Sequence, residues 1–326
     1  MVDGRRATVT EVDRRASAFA EQRAYLFAVA YRLLASAEDA EDTLQDAWLR
    51  FAGIDLDELE SPRAYLVTVV TRLCLDVLKS TRRRREEYVG TWLPEPVPSD
   101  AALPEELAER AESASFAFLL LLERLNPVER AVVVLHDVFD YSHDEVGAAI
   151  GRSAAASRQA LRRARQRLGA IDRPPRRPSA HARELVARFF EATTSGDIDG
   201  LVSALARDVV LLSDGGGQAR SANRPLVGRA LVSRFWAAVS RLAGPPARVE
   251  PLELNGQAGA LLFEGGVLTT AMLFDVDRSE MTGIYVVRNP EKLRGLAAAV
   301  GAPVALTLAE QRAASAITNG ITNERK

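Results

Sequence analysis

Apolar residues between Leu125 and Leu168 recur at helical spacing in three short bursts, each opened by a polar cap. Asn126 stands before Pro127 with Glu129 three residues on, which predicts an N-cap, a first-turn proline and a capping box. Ser142 and Glu145 repeat the box ahead of Val146, Ala149 and Ile150. Gly151 breaks the pattern and Ser153 starts a third helix. Two helices joined by a Gly-containing turn predict a helix-turn-helix. In the last helix Ser157, Leu161, Ala164 and Leu168 form the packing stripe. Arg158, Gln159, Arg162, Arg163, Arg165 and Gln166 lie off it. These are side chains that bond phosphates and contact guanine and adenine edges in a major groove.

Upstream, helical periodicity covers Ala16 to Leu34, with Phe19, Leu26, Val29, Ala30 and Leu33 on one face. A second helix opens at Ser36 or Ala37. Its Ala40, Leu44, Ala47 and Phe51 face a core, while Glu38, Asp39, Glu41, Asp42, Gln45 and Asp46 make the outer face acidic. That face reads either as a solvated helix surface or as a contact for a basic partner. A third helix begins at Ser61-Pro62 and ends in Arg82, Arg83, Arg84 and Arg85, a phosphate-binding end or a favourable partner for the helix dipole, which alone would not require four arginines. Tyr88 to Pro104, interrupted by Pro94, Pro96 and Pro98, is predicted to be an ordered linker. A second helical domain begins at Pro104 and runs into the helix-turn-helix, and Arg173 to Pro178 is a second, stiff basic linker.

The texture changes after His181. Helices are predicted over 182–193, 198–205 and 227–242. Strands are predicted over 208–213, 248–254, 258–263, 267–275 and 281–288, with turns at Asn255-Gly256 and Gly265-Gly266. Asp214-Gly215-Gly216-Gly217 forces a flexible turn, and a short helix covers Asn289 to Leu293. Helices followed by a strand meander predict an α+β domain, its helices on one face of a curved sheet. The boundaries fall at 1–14 (disordered tail), 15–87, 88–104 (linker), 105–172, 173–180 (linker), 181–296 and 297–326 (tail).

Composition refines this outline. A chain of 326 residues is too long for one small helical domain. The net charge of −2 hides a local bias: nine Arg stand between Arg152 and Pro178 against one acid, Asp172. A single Cys74 excludes an internal disulfide and a cysteine-cluster metal site, and fits a reducing cytoplasm. His136, His143 and His181 are too dispersed to argue for a metal, so no cofactor is expected. No run reaches 18 uninterrupted apolar residues, so no membrane span is expected. The candidate acids for enzymatic work in the last domain are Asp208, Asp214, Glu250, Glu264 and Asp275, but no Asp–His pair stands out.

Three stretches carry a resemblance: Asp39 to Phe51, Ser61 to Leu78, and the Leu-Asn-Pro-Val-Glu-Arg run through Arg-Ala-Arg-Gln-Arg-Leu. In this order and spacing they resemble the sigma factors of bacterial RNA polymerase, of the extracytoplasmic-function (ECF) group. The chain further resembles the subgroup with a C-terminal SnoaL-like, NTF2-type domain. The Trp-Leu-Pro-Glu-Pro motif of that subgroup is intact at 92–96. Its Asp-Gly-Gly-Gly-Lys motif is Asp214 to Gln218 here, with Gln218 in place of Lys. Its Asn-Pro-Asp-Lys-Leu motif is Asn289 to Leu293, with Glu291 in place of Asp. Ser157 stands where many members have Cys.

The resemblance implies two all-α sigma domains, the second a helix-turn-helix, followed by an α+β NTF2-like cone. It implies that Asp39, Glu41, Asp42, Gln45 and Asp46, with Trp48 and Leu49, meet the clamp helices of the polymerase largest subunit. It implies that Arg63, Arg72, Asp76, Lys79 and Arg82 to Arg85 serve the single-stranded −10 element. Arg72 stands where many members have Asn, so base specificity does not carry over. Ser153, Arg158, Gln159, Arg162, Arg163 and Arg165 would serve the −35 major groove. Trp92, Leu93, Pro94, Asp214, Gly215, Gly216, Gly217, Gln218, Asn289, Pro290 and Lys292 would form a regulatory contact, the glycine loop packing near the Trp92 linker. The implied partners are the polymerase core and promoter DNA, for a monomeric, cytoplasmic protein with no membrane contact and no bond chemistry of its own. The cone could hold a small ligand. Two other readings stand beside this one. A conventional helix-turn-helix regulator would leave the acidic face and the third helix idle. A ligand-sensing or isomerase cone fused to a DNA-binding module needs a pocket acid or base.

Overall fold

The computed structural model describes residues 9–99, 114–169, 180–240 and 247–307, and for residues 9, 10, 81–86, 180 and 240 the backbone alone. These residues gather into two compact units, 9–84 with 114 and 118–169, and 85–99 with 115–117, 180–240 and 247–307. The basic linker expected at 173–178 and the tail beyond 307 lie outside the described residues.

The first unit is helical. α1 runs Val9–Leu34, α2 Ala37–Phe51 and α3 Pro62–Glu86. The expected tail is therefore helical from Val9. The start of α1 is tied down by Arg14 on Asp57 at 3.0 Å and by Arg15 on the Ala52 carbonyl at 3.2 Å. Ser36 caps α2, its hydroxyl accepting from the Asp39 N–H at 3.1 Å. Ala40, Leu44, Ala47 and Phe51 are buried, as their spacing requires.

α4 (Phe116–Leu122) and α5 (Pro127–Val132) lead to a π-helical turn, Val133–Val138. α6 (His143–Ile150) and α7 (Ala154–Leu168) complete the helix-turn-helix. Both capping boxes form, at Asn126/Glu129 and Ser142/Glu145. Gly151 ends α6 in the left-handed region at φ 67°, where a side chain would strain the turn. The π turn is a departure from a single helix after Asn126. The Phe139 N–H bonds the carbonyl of Val134, five residues back, and Asp140 follows at φ 57°.

Two buried ionic groups lock α5 in place. Glu129 is fully buried and receives Arg163 at 3.2 Å and Arg167 at 2.5 Å from α7. Arg130 donates to the Leu122 carbonyl at 3.1 Å, to the Leu33 carbonyl at 3.0 Å and to Glu123 at 2.8 Å. Each anchors α5 to a neighbouring element, and removing one partner of such a pair costs more than the pair itself contributes.

The second unit is a mixed sheet with helices. α8 (Ala180–Ser195) and α9 (Ile198–Ala204) precede β1 (Leu205–Asp214). β2 (Leu226–Val227), α10 (Arg229–Ser240), β3 (Ala247–Leu254), β4 (Gln257–Glu264), β5 (Val267–Asp277), β6 (Glu280–Val287) and α11 (Pro290–Ala299) follow. The sheet order is β2-β1-β6-β5-β4-β3, antiparallel except for the parallel β1–β6 pair. Asn255 and Gly256, both at positive φ, make the β3–β4 turn. Register shifts at Leu262/Phe263 and Asp275/Val276 bend the sheet. α10 starts two residues later than its periodicity suggests, because Leu226 and Val227 pair with β1.

One face of the sheet, with Ala258, Ala260, Met272, Phe274, Ile284 and Val286, packs on α8, α9 and α10. Phe189 is its centre, with ring centroids 5.0 Å from Trp236 and 5.8 Å from Phe274. Such contacts are worth about 0.5–1.5 kcal/mol each beyond burial. The C-terminal segment read as a loose tail is partly built into this unit. α11 extends to Ala299, and the Leu268 N–H and carbonyl bond Pro303 and Ala305 at 2.8 and 3.1 Å.

By strand alternation Gln257, Asp275 and Tyr285 lie on the opposite face. Tyr285 donates to Asp275 at 2.5 Å, and the Gln257 amide donates to the other carboxylate oxygen. Gln257 in turn accepts the Phe116 N–H at 2.8 Å. Burial pushes the Asp275 carboxyl up to about 6, and the Tyr285 hydrogen bond opposes the rise. The unfolded value is about 3.9. The folded chain therefore holds an extra proton between these values, and this group's contribution to stability falls as pH rises from about 4 to about 6. The melting temperature of wild type minus that of Asp275→Asn, measured across this range, is expected to decline as pH rises. A flat difference would remove Asp275 as the titrating group.

Candidate functional site

The three motif segments of the second unit meet at one carboxylate. Asp214 ends β1 and is fully buried. A buried carboxylate loses several kcal/mol of hydration unless it is paired and hydrogen-bonded. Tyr88 Oη and the Gly216 N–H donate to Oδ1 at 2.6 and 2.9 Å. The Leu93 N–H and Lys292 Nζ donate to Oδ2 at 2.9 and 2.7 Å. Lys292 also donates to the Leu93 carbonyl at 2.5 Å and lies 4.3 Å from the Trp92 ring centroid and 4.8 Å from that of Tyr88. A cation between two aromatic faces and a carboxylate is held by both attractions.

The backbone completes the junction. The Asp214 carbonyl accepts from the N–H groups of Arg288 and Asn289 at 2.7 and 3.1 Å. Asn289 caps α11 by accepting from Glu291 at 3.1 Å, while its amide donates to Tyr88 Oη at 2.9 Å. Gly216 sits at φ 58°, and a Cβ there would stand 2.3 Å from the Asn289 amide nitrogen, so no other residue fits. Gly215, Gly217 and Gln218 complete the tight turn, the Gln218 N–H bonding the Gly215 carbonyl at 2.8 Å. Leu93 and Pro94 are buried, and Pro290 opens α11. Further along, Val97 exchanges two 3.0 Å hydrogen bonds with Asn255, and the Gly256 N–H bonds Ser99 at 2.9 Å. Burial, and then the adjacent Asp214 charge, raise the Tyr88 phenol well above its ordinary value, so it stays a donor.

Tyr88, Asn255 and Gln257 were not among the expected site residues. None belongs to a motif or a periodic face, and a lone Tyr or Gln carries no spacing signal. Asn255 was legible only as half of a hairpin turn.

In the first unit, α7 carries the basic face. Ser153 uses its hydroxyl as the cap, accepting from Ala156 at 3.2 Å. Ser157, Ala160, Leu161, Ala164 and Leu168 are buried, while Arg158, Gln159 and Arg162 are exposed. Arg163 is turned to Glu129, and Arg165 to Asp137 at 2.8 Å. On α2, Asp42, Gln45, Asp46 and Leu49 are exposed, Leu49 at 71%. Asp39 and Glu41 are half-buried, Glu41 paired with Arg23 at 2.5 Å. Trp48 packs edge-on against Phe19 at 5.3 Å.

The α3 residues do not form one open surface. Arg63 donates to Gln22 at 2.5 Å and lies 4.6 Å from the Tyr25 ring centroid. Arg72 reaches the last turn of α6, donating to the Ala148 and Ala149 carbonyls at 2.9 and 3.2 Å. Asp76 and Lys79 pair with each other at 2.8 Å in solvent. Arg82 to Arg85 lie within α3, and their side chains are outside the described residues. Among the described residues no helix is long and apolar enough to cross a membrane, and no cluster of His, Cys, Asp and Glu could hold a metal ion.

Comparison with known proteins agrees with this layout. Sigma-70 region 2 matches residues 19–84 and sigma-70 region 4 matches residues 115–168. ECF RNA polymerase sigma factor SigJ of Mycobacterium tuberculosis is 43% identical over 294 residues, 86% of this chain and 93% of its own length. The probable ECF RNA polymerase sigma factor SigI of the same organism is 28% identical over 90% of this chain and 99% of its own. The crystal structure of SigJ superposes with a TM-score of 0.69 at 35% identity, covering 86% of this chain and 98% of that one. The fold class expected from sequence is found in its outline, two helical sigma domains followed by an α+β domain with its helices on one face of a bent sheet. This chain belongs to the ECF group of RNA polymerase sigma factors.

Proposed function

We propose that this chain directs RNA polymerase core to promoter DNA, reading the −35 element with α7 and the −10 element with α3 and the loop before it. The observation that carries this is the sorting of α7. Its apolar stripe and Glu129 hold one side to the domain, while Arg158, Gln159 and Arg162 project into solvent. The acidic outer face of α2, with Leu49 exposed beside it, suits a basic partner helix on the polymerase core. Arg72 and Arg63 serve DNA only after leaving their partners within the chain. Phosphate oxygens are strong enough acceptors to replace a backbone carbonyl or a side-chain amide. Both DNA-reading helices are carried on one chain, so a single copy suffices. The chain acts in the cytoplasm and performs no bond chemistry itself.

The cone acts on the linker. With Asp214, Lys292 and Tyr88 gripping residues 92–93, the segment joining the two sigma domains is a fixed part of the C-terminal unit and not a free tether. We place regulation there. The interior of the cone is filled by Phe189, Trp236 and Phe274, so ligand sensing in that interior is not part of the proposal.

Run-off transcription with purified core and a genomic promoter library tests the first reading. The full chain is expected to give promoter-specific transcripts, and the paired change Asp42→Lys with Asp46→Lys to weaken core binding at least about tenfold. Absent transcripts together with absent core binding would overturn it. Asp214→Ala tests the grip on the linker. It leaves Lys292 buried without its anion, a change worth about 3 kcal/mol. Hydrogen exchange at the Leu93 amide is expected to speed up by about two orders of magnitude. Trp92→Ala and Gly216→Val are expected to alter promoter output in the same direction. Normal output from all three would leave the junction a structural staple alone.

A further inference from the structure

Beside the solvent face of α7 runs an open trough of about 560 Å³, lined by His143, Arg158, Leu161, Arg162, Arg165, Gln166 and Gly169. His143 is the first residue of α6, and its Nδ1 lies 3.0 Å from the Ser157 hydroxyl on α7. Its ring stacks on His136 of the π turn, with centroids 4.2 Å apart and planes inclined at 21°. His136 Nδ1 is 2.7 Å from the Tyr141 carbonyl, so that nitrogen carries the proton and donates. A cation on one ring of such a stacked pair disfavours a cation on the other.

The charges around His143 come from three elements. His136 and Asp137 face it from the π turn, and Arg158 and Arg165 from α7. On its own helix, Glu145 is turned back to bond the Ser142 N–H and hydroxyl at 2.8 and 2.7 Å. Asp144 is exposed. Asp137 is occupied by Arg165 at 2.8 Å. Burial, then His136 and Arg158, hold the His143 imidazole below its ordinary value. The unliganded trough therefore favours neutral His143 beside cationic Arg158 and Arg162. Among the described residues that line the trough none is acidic, and Asp137 beside it is paired with Arg165.

We propose that this trough takes one backbone phosphate diester of promoter DNA beside the −35 element, and that His143 binds it as an imidazolium, so that the chain takes up a proton as it engages DNA. The proposal rests on α7 being the −35 helix. A phosphate there pairs with Arg158 and Arg162 and reverses the local charge that disfavours the imidazolium. The sign follows. A group whose proton affinity is higher in the complex strengthens binding at low pH and loses that advantage as pH rises through its value in the complex. An increase of one unit corresponds to a tenfold gain in affinity.

The chain has only three histidines, so each imidazole can be followed separately by NMR in the full-length protein. The probe is a duplex carrying the −35 element of a promoter that the holoenzyme transcribes. Adding it is expected to raise the His143 titration midpoint by about one unit and leave His181 where it was. The same duplex with methylphosphonate, an uncharged phosphate replacement, at the flanking backbone positions is expected to abolish the rise. Holoenzyme affinity for the promoter is expected to fall about threefold to tenfold between pH 6 and pH 8 relative to His143→Gln, with His181→Gln behaving as wild type. Arg162→Ala is expected to reduce the salt slope of binding by about one. A His143 midpoint that does not move on DNA binding, or an equal pH dependence in wild type and His143→Gln, overturns the proposal and leaves the sigma reading intact. Failure of the wild-type holoenzyme to bind any promoter at either pH counts against the sigma reading itself.

Discussion

A carboxylate with no access to solvent must be answered by donors, and at Asp214 the answer ties three separate segments of the C-terminal unit together. Its four donors come from the linker, from its own glycine loop and from the helix after the sheet. Those segments are far apart in the chain, and each also buries apolar side chains, Leu93 and Val97 in the linker and Leu293 and Leu296 in the helix. One buried charge brings them together because leaving it unanswered costs more than ordering them. The Lys expected in the glycine loop is Gln218, but Lys292 delivers a cation to the same carboxylate. The aromatic rings of Trp92 and Tyr88 then close over it.

Glu129 plays a comparable part in the helical unit. It completes the capping box of α5 and receives two arginines from α7. Arginines four apart on one helix lie on one face, so a single anion can fix both the position of α7 and its rotation. That rotation is what leaves Arg158, Gln159 and Arg162 facing outward. The outward face of the helix is set from behind by an ion pair in which the glutamate is buried.

Much of this was legible in the chain. The caps at Asn126, Ser142 and Ser153 and the break at Gly151 form as their residue types require, because a cap depends on neighbours three residues away. The α7 stripe and the Asn255-Gly256 hairpin are equally local. What the sequence could not reveal was the choice among long-range partners. Nothing in the spacing distinguishes Arg163, which turns inward to Glu129, from Arg162, which stays outside. Nothing local says that Arg72 closes the end of α6 or that Tyr88 reaches a carboxylate 126 residues away. The π turn was hidden for a different reason: its extra residue is absorbed without any glycine or proline to mark it.

The two kinds of contact differ in what it takes to undo them. Arg72, Arg63 and Arg165 are held by groups at or near the surface, where a net hydrogen bond is worth about 1 kcal/mol and an exposed ion pair less. Phosphates can displace those partners one at a time. The Asp214 junction cannot be opened one bond at a time, since losing Lys292 or Leu93 strands a charge away from water. The surfaces that would meet DNA are thus exchangeable by construction, and the grip on the linker is all-or-none. On the proposed function, a signal acting on this chain has more to gain by shifting the junction as a unit than by competing at any single surface arginine.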